Sequence, residues 1–158
     1  MGVLTDYFRA PSVAAVLEQL AQRDGGPLVS EDSGSSAFDG VELKSVDPPV
    51  ALGQLVAFAM DKAYSSDLVD DRLIWPEGGE QDPDHMGPWV AALDDHTRDA
   101  LAGVPAQRVP DLAERWAAIE EFGGVIPVED LRSAVARLTA LARRARDNDE
   151  SLYCWISL

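Results

Sequence analysis

The stretch LRSAVARLTALARRARDNDESLYCWISL, residues 131–158, holds the clearest structural pattern of the chain. Its apolar residues first recur every three or four positions from Leu131 to Ala145, which is the period of a helix with one buried face. Acidic residues precede this stripe and arginines close it, an order that suits the helix dipole. We therefore predict a helix from near Pro127 to near Asn148.

The same stretch then changes period. Leu152, Cys154, Ile156 and Leu158 alternate with their neighbours, which is typical of a β-strand. A final segment with this many apolar residues predicts a strand that is paired within a sheet.

Upstream of this stretch, the pattern predicts more helices than strands. Ser12 is a candidate N-cap, Asp47 followed by two prolines is a typical helix start, and the Gly87–Pro88 pair is expected to open another helix. Strands are expected near residues 2–8, 41–46 and 73–75. In all we predict an α+β fold of about five helices and a small sheet of three or four short strands, because regular βαβ alternation is missing.

The length of 158 residues suits one domain spanning 1–158. Polar and glycine-rich residues at 30–40 and 76–87 predict two mobile loops within it.

Composition narrows the function classes. The formal charge is −15, from 28 acidic and 13 basic residues, which disfavours direct nucleic-acid binding. The longest apolar run, Val50 to Met60, is about half of a membrane span. We also find no signal-peptide pattern and only one cysteine, Cys154, and so expect a reduced, cytoplasmic protein. Glycine pairs occur without a nucleotide-binding motif, and we expect no cofactor.

Charge is unevenly distributed along the chain. Residues 61–99 carry eleven acidic against three basic side chains, whereas residues 131–146 carry five arginines and no acid. One hypothesis is a binding protein without catalysis, similar in action to an immunity protein or inhibitor, that docks a basic partner through an acidic surface. Its candidate contact residues are Asp70, Asp71, Trp75, Glu77, Glu80, Asp82 and Asp84. The alternative is a solvated face whose charge complements the basic helix.

A second hypothesis uses the two histidines. Carboxylate and imidazole groups spaced three and four apart on a helix can converge on a divalent ion. This alternative is a metal-assisted hydrolase or small-molecule-binding protein that uses Asp84, His85, Asp95, His96 and Asp99. The spacing matches no zinc or EF-hand signature, so the simpler interpretation is a solvated acidic face with two surface histidines. A third hypothesis, a DNA mimic, rests on net charge alone.

The order of several segments is similar to that of a known family. Four segments carry the similarity: the start through Tyr7-Phe8, the segment Leu43–Asp47 before a buried helix, the helix Leu138–Ala145 and the final segment Leu152–Ile156. In this order they resemble the YfbM-like small bacterial proteins, and also actinobacterial proteins that end in Leu-Tyr-Cys-Trp. The resemblance implies an α+β fold, and it carries over no catalytic or ligand-binding residue.

Overall fold

The computed structural model describes residues 2–30, 36–77 and 83–158. Within them the strands are β1 (Leu4–Ala10), β2 (Gly40–Val41), β3 (Asp71–Trp75), β4 (Trp89–Leu93) and β5 (Ser151–Ser157). The α-helices are α1 (Val13–Gln22), α2 (Gly53–Met60), α3 (Asp95–Ala102), α4 (Val109–Ala117) and α5 (Val128–Asp147). A π-helical turn (Pro48–Leu52) leads into α2, and 3-10 turns (Ala106–Arg108 and Glu120–Phe122) flank α4.

The strands form one antiparallel sheet in the order β2-β1-β5-β4-β3. The α+β class and the closing strand are confirmed, but the described sheet has five strands and not three or four. The main error lies at residues 89–93, which the sequence pattern placed in a helix opened by Gly87–Pro88. Val90 and Leu93 are three apart and fit a helical face, yet this short apolar run pairs between β3 and β5. The helix begins only after Asp94, whose carboxylate accepts the Thr97 N–H at 3.0 Å.

Helices cover both faces of the sheet. On one face α2 to α5 bury a large core against Tyr7, Cys154 and their neighbours. On the other face α1 and the segment around Leu28 pack on Phe8, Tyr153 and Trp155. Because the central strands β1 and β5 are covered on both sides, almost every residue in them must be apolar or internally paired.

Two predicted helix starts are confirmed. The Ser12 hydroxyl accepts the Ala15 N–H at 3.1 Å at the start of α1. The Asp47 carboxylate accepts the Val50 N–H at 3.0 Å and the Ala51 N–H at 3.3 Å, and so caps the turn that enters α2. In both places a short polar side chain satisfies backbone donors that the helix cannot satisfy itself.

The two predicted loops are described only in part, since residues 31–35 and 78–82 lie outside the described residues. The described end of the first loop is attached to the core, because Leu28 O accepts the Ala37 N–H at 2.9 Å and Phe38 stacks on Phe8 at 5.3 Å. Most described residues of the second loop are exposed, and the His85 ring nitrogen lies 3.0 Å from Pro88 O. Mobility of either loop stays a prediction.

An ion network ties β1 to the carboxyl end of α5. The Asp39 carboxylate accepts from Arg9 Nε at 2.8 Å and from Arg144 Nε at 2.6 Å, and Arg9 also pairs with Glu150. Partial burial opposes ionisation of Asp39, but its bonds with Arg144 and Arg9 outweigh that effect and lower its pKa. A carboxyl with a lowered pKa stabilises the folded state above its ordinary pKa, and this contribution is lost as the pH falls through the folded value.

We predict that Asp39→Asn lowers the free energy of unfolding by about 1 kcal/mol at pH 7, since about a third of the side chain is exposed and solvent weakens its ion pairs. The difference between wild type and variant should shrink below the ordinary Asp value of 3.8. Urea unfolding between pH 3 and pH 7 measures both effects.

The matched control is Glu114→Gln. Glu114 lies 3.9 Å from Arg132 and is two-thirds exposed, so the change should be under about 0.5 kcal/mol. Equal effects of the two variants would contradict a structural role for the Asp39 network.

Candidate functional site

A cleft of about 520 Å³ opens where β3 begins, β4 ends and β5 begins. Four acidic residues line it, Asp70, Asp71, Asp94 and Asp95, and Arg72 is the one basic residue among its described lining residues. Asp71 is the cross-strand partner of Leu93, so its side chain lies at the sheet edge on the α2–α5 face, opposite that of Arg72. We call this site the acidic cleft. Its apolar walls include Val13, Ala92, Leu93 and Tyr153.

Two of the four carboxylates hold the local structure. Asp94 accepts from the Thr97 hydroxyl at 2.6 Å and from the Asp70 N–H at 3.1 Å, in addition to capping α3. Asp95 accepts from the Ser151 hydroxyl at 2.7 Å and lies 3.4 Å from Arg98. These bonds fix the end of β4 against the segment that leads into β3 and against the start of β5.

Asp70 and Asp71 are exposed, and neither takes part in an ion pair within residues 2–30, 36–77 and 83–158. Partial burial raises the pKa of the Asp71 carboxyl above its ordinary value, and the charges of Asp70 and Asp47 add to this rise. The raised pKa thus comes first from partial burial, and the neighbouring negative charges add to it. An incoming cation would lower this pKa.

The structure does not gather the five described members of the seven predicted contact residues at one place. Asp71 begins β3 and Trp75 ends it, which separates them by about 13 Å at the usual rise per residue. Trp75 is half-buried at that far end, with exposed Glu77 and Asp84 in the segments beyond it. Glu80 and Asp82 lie outside the described residues. The described members therefore form two groups along the β3 edge of the sheet.

The five predicted metal ligands are also divided. His85 and Asp84 precede β4, whereas Asp95, His96 and Asp99 follow it on α3, so the whole strand separates the two groups. Asp95 and Asp99 both pair with Arg98, at 3.4 Å and 2.9 Å. Within the described part of the chain, no three His, Cys, Asp or Glu side chains are placed to hold a metal ion.

Several arginines of α5 pair away from the acidic segment 61–99. Arg143 donates to the carbonyl oxygens of Ala102, at 3.1 Å, and Val104, where α3 ends. Arg144 pairs with Asp39, Arg132 with Glu114, and Arg146 with Asp147. The contacts of Arg132, Arg143 and Arg144 join parts of the fold, whereas Arg146 pairs within α5. The partners of these four side chains lie outside the acidic segment 61–99.

A second cleft, of about 370 Å³, lies at the other end of β5 on the same face of the sheet. We call it the Asp6 cleft. Asp6 on β1 and Trp155 on β5 are cross-strand partners that line it, and both are 5% exposed. The pKa of Asp6 is raised to about 7, first by burial and then by the Glu42 charge, while a hydrogen bond from the backbone of Leu43 opposes the rise.

Sequence reasoning missed Asp6 as a site residue. The signal was present in the alternation of β1, because Asp6 shares the face of Phe8 in a strand of strong β-formers. An acidic residue in register with buried positions is costly unless it is paired or functional.

The single cysteine is unsuited to nucleophilic chemistry. Cys154 is completely buried in β5, and burial raises the pKa of its thiol well above the ordinary value. The thiolate is the reactive form, so a thiol that stays protonated is inert. Cys154 therefore acts as a small apolar residue of the core.

The chain matches no protein-family model, no curated protein and no solved structure. The resemblance to YfbM-like proteins therefore stays a prediction. In the described residues, none of the helices combines the length and the apolar character needed to cross a membrane.

We predict that iodoacetamide leaves Cys154 unmodified in the native protein at pH 8 and alkylates it fully in urea, because only unfolding exposes the thiol and lowers its pKa. Intact-mass spectrometry over time measures the labelled fraction. Native labelling as fast as that of free cysteine would contradict the buried position.

Asp6→Asn should stabilise the protein in a pH-dependent way. A folded pKa of about 7 against an ordinary 3.8 means that ionising Asp6 costs folding free energy, a cost that grows between these two values and is complete above pH 7. The variant should match wild type near pH 4 and exceed its unfolding free energy by about 2–4 kcal/mol at pH 8.

Urea unfolding across this pH range gives the difference curve. Glu18→Gln on the exposed side of α1 is the control and should change stability by under about 0.5 kcal/mol at each pH. A flat difference curve for Asp6→Asn would show that Asp6 is ionised at little cost.

Proposed function

We propose that this chain is a cytoplasmic binding protein without catalysis that docks a basic protein partner through the acidic cleft and the adjoining β3 edge, in the manner of an immunity protein or inhibitor. The observation that carries the proposal is the concentration of four acidic residues around one open cleft at the β3 edge, with a single arginine, Arg72, among its described lining residues. A lysine or arginine side chain of a partner supplies the missing positive charge.

The energetic case rests on Asp70 and Asp71. Both residues are exposed and take part in no ion pair within the described chain, so a partner does not need to break an internal salt bridge to reach them. An entering guanidinium would find the Asp94 and Asp95 carboxylates already fixed by hydrogen bonds. Preorganised charge costs little conformational entropy at the moment of binding.

The position of the cleft also favours a protein partner. β3 is the last strand of the described sheet order, so its outer side lies at an edge that a partner can approach. Glu77 and Asp84 extend the negative charge beyond the far end of that strand. A net charge of −15 adds long-range attraction for a basic protein and speeds association at low salt.

Metal-assisted hydrolysis at the Asp and His cluster has no such support. His85 precedes β4 and His96 follows it, so the two histidines lie at opposite ends of the strand. No observation favours that alternative over docking.

The test compares two variants that change the net charge equally. Asp70→Asn with Asp71→Asn removes two charges at the cleft, and Glu114→Gln with Glu129→Gln removes two exposed charges on α4 and α5. We expect the first variant to bind a decalysine peptide about tenfold more weakly than wild type at low salt, and the second to lose at most about twofold. Isothermal titration calorimetry at two salt concentrations gives these affinities.

The same variants then serve in affinity capture from lysate. A basic protein retained by wild type and by the α4–α5 variant but lost by the cleft variant would be the partner. Equal weakening of decalysine binding by both variants would show that only net charge matters, which contradicts docking at the cleft.

A further inference from the structure

The Asp6 cleft has the components of a ligand site that the docking proposal does not use. Its volume of about 370 Å³ falls at the small end of the range for small-molecule pockets. It shares no lining residue with the acidic cleft. At its base lies a buried carboxyl group, and its walls are largely apolar.

Among residues 2–30, 36–77 and 83–158, no cation pairs with the Asp6 carboxyl. The backbone of Leu43 supplies a hydrogen bond, but the nearby charge of Glu42 works against ionisation of Asp6. Lys44 lines the cleft with an exposed side chain and forms no ion pair with Asp6 within the described residues. A buried carboxylate without a cation is costly, and the cost disappears when a cation arrives with a ligand.

The Trp155 indole gives the cleft an aromatic wall. Its Nε1–H donates to the Gly25 carbonyl oxygen at 3.1 Å, which holds the ring in one orientation. Asp6 and Trp155 are paired across β1 and β5 and face the same side of the sheet. An aromatic ring beside a carboxylate is a combination that recognises ammonium groups.

We propose that the Asp6 cleft binds a small organic cation, a primary ammonium on a compact apolar body, with the Asp6 carboxylate as its counter-ion and Trp155 as its aromatic wall. The apolar walls at Leu4, Pro27 and Val29 accept the body of the ligand. An anion is disfavoured, because Asp6 and Glu42 together outweigh Lys44.

Binding of a cation at this site must depend on pH. The carboxyl pairs with an ammonium only when ionised, so affinity rises as the pH passes the Asp6 value of about 7. The charged groups that line the cleft with Asp6 are Glu42 and Lys44. From the other face of the sheet, the Cys154 thiol is the buried titratable neighbour, and it stays protonated in this range.

The probes are benzylamine, its neutral counterpart benzyl alcohol, and its anionic counterpart benzoate. We expect benzylamine to bind and the other two to bind at least about tenfold more weakly. Its affinity should rise about tenfold from pH 6 to pH 8, since a group with a pKa of about 7 becomes ionised across this interval while benzylamine stays charged. Titration followed by ¹H–¹⁵N NMR gives both the affinity and the place of binding.

The spectra contain an internal control. The Leu43 amide and the Trp155 indole signals should shift on binding. The Trp116 indole, which donates to Ala51 O at 2.9 Å in the core on the opposite face, should stay in place. Shifts confined to residues of the acidic cleft would overturn the proposal.

Variants complete the test. Asp6→Asn keeps the size of the side chain and should lose benzylamine affinity by about tenfold or more, and Glu114→Gln should leave it unchanged. Unchanged binding by a folded Asp6→Asn variant, or equal affinity for benzyl alcohol, would overturn the role of the carboxylate. Tighter binding of a lysine with blocked termini than of benzylamine would overturn the small-molecule assignment, because it would point to a protein side chain.

Discussion

The pairing of β1 with β5 is the constraint on which the rest of the structure depends. The first and last strands of the described chain lie side by side in the sheet, with seven residue pairs in register from Leu4 with Ser157 to Ala10 with Ser151. A slip of one residue would exchange the two faces of each strand. Because different helices cover the two faces, such a slip would place Tyr7 and Cys154 against α1, and Phe8 and Trp155 against α5. The two cores thus fix the register from both sides.

The same pairing explains where the clefts lie. Phe38, Phe8 and Tyr153 stack in the middle of the α1 face, with ring centroids 5.3 Å and 5.5 Å apart. On either side of this stack the covering layer ends, and the sheet opens at the acidic cleft near Ser151 and at the Asp6 cleft near Trp155. The two sites are consequences of one short helix and one loop covering a five-stranded sheet.

The sequence pattern predicted those elements that show a single strong period. The α5 stripe and the alternation in β5 have this quality, and so do the capped starts at Ser12 and Asp47. The run Trp89–Leu93 does not, because an apolar segment of five residues fits a helix and a strand equally well. Its neighbours in space decided the outcome, and those neighbours are far away in sequence. The two-residue strand β2 is too short to leave any period at all.

The candidate sites were less predictable for a related reason. Charge counting along the chain found Asp70 and Asp71, but it grouped them with Trp75 and Asp84, which the length of β3 and β4 keeps apart. It could not find Asp6, because a single carboxyl becomes unusual only when the fold buries it.

Several arginines join parts of the fold, which explains why some carboxylates in the two clefts have no ion pair within the described residues. Arg9, Arg143 and Arg144 join β1, α3 and α5 through carbonyl groups and Asp39, and Arg108 donates to Ala59 O, where α2 ends, at 2.9 Å. Cations committed to such joints are not available to the clefts. A chain with more than twice as many acidic as basic residues is then left with carboxylates that the fold does not pair. Both clefts contain such groups. Those of the acidic cleft are exposed, and that of the Asp6 cleft is buried beside the Trp155 ring. The fold therefore has two clefts in which an added cation would be stabilised. The acidic cleft is wide and open, which suits a protein partner, and the Asp6 cleft is smaller and deeper, which suits a small molecule.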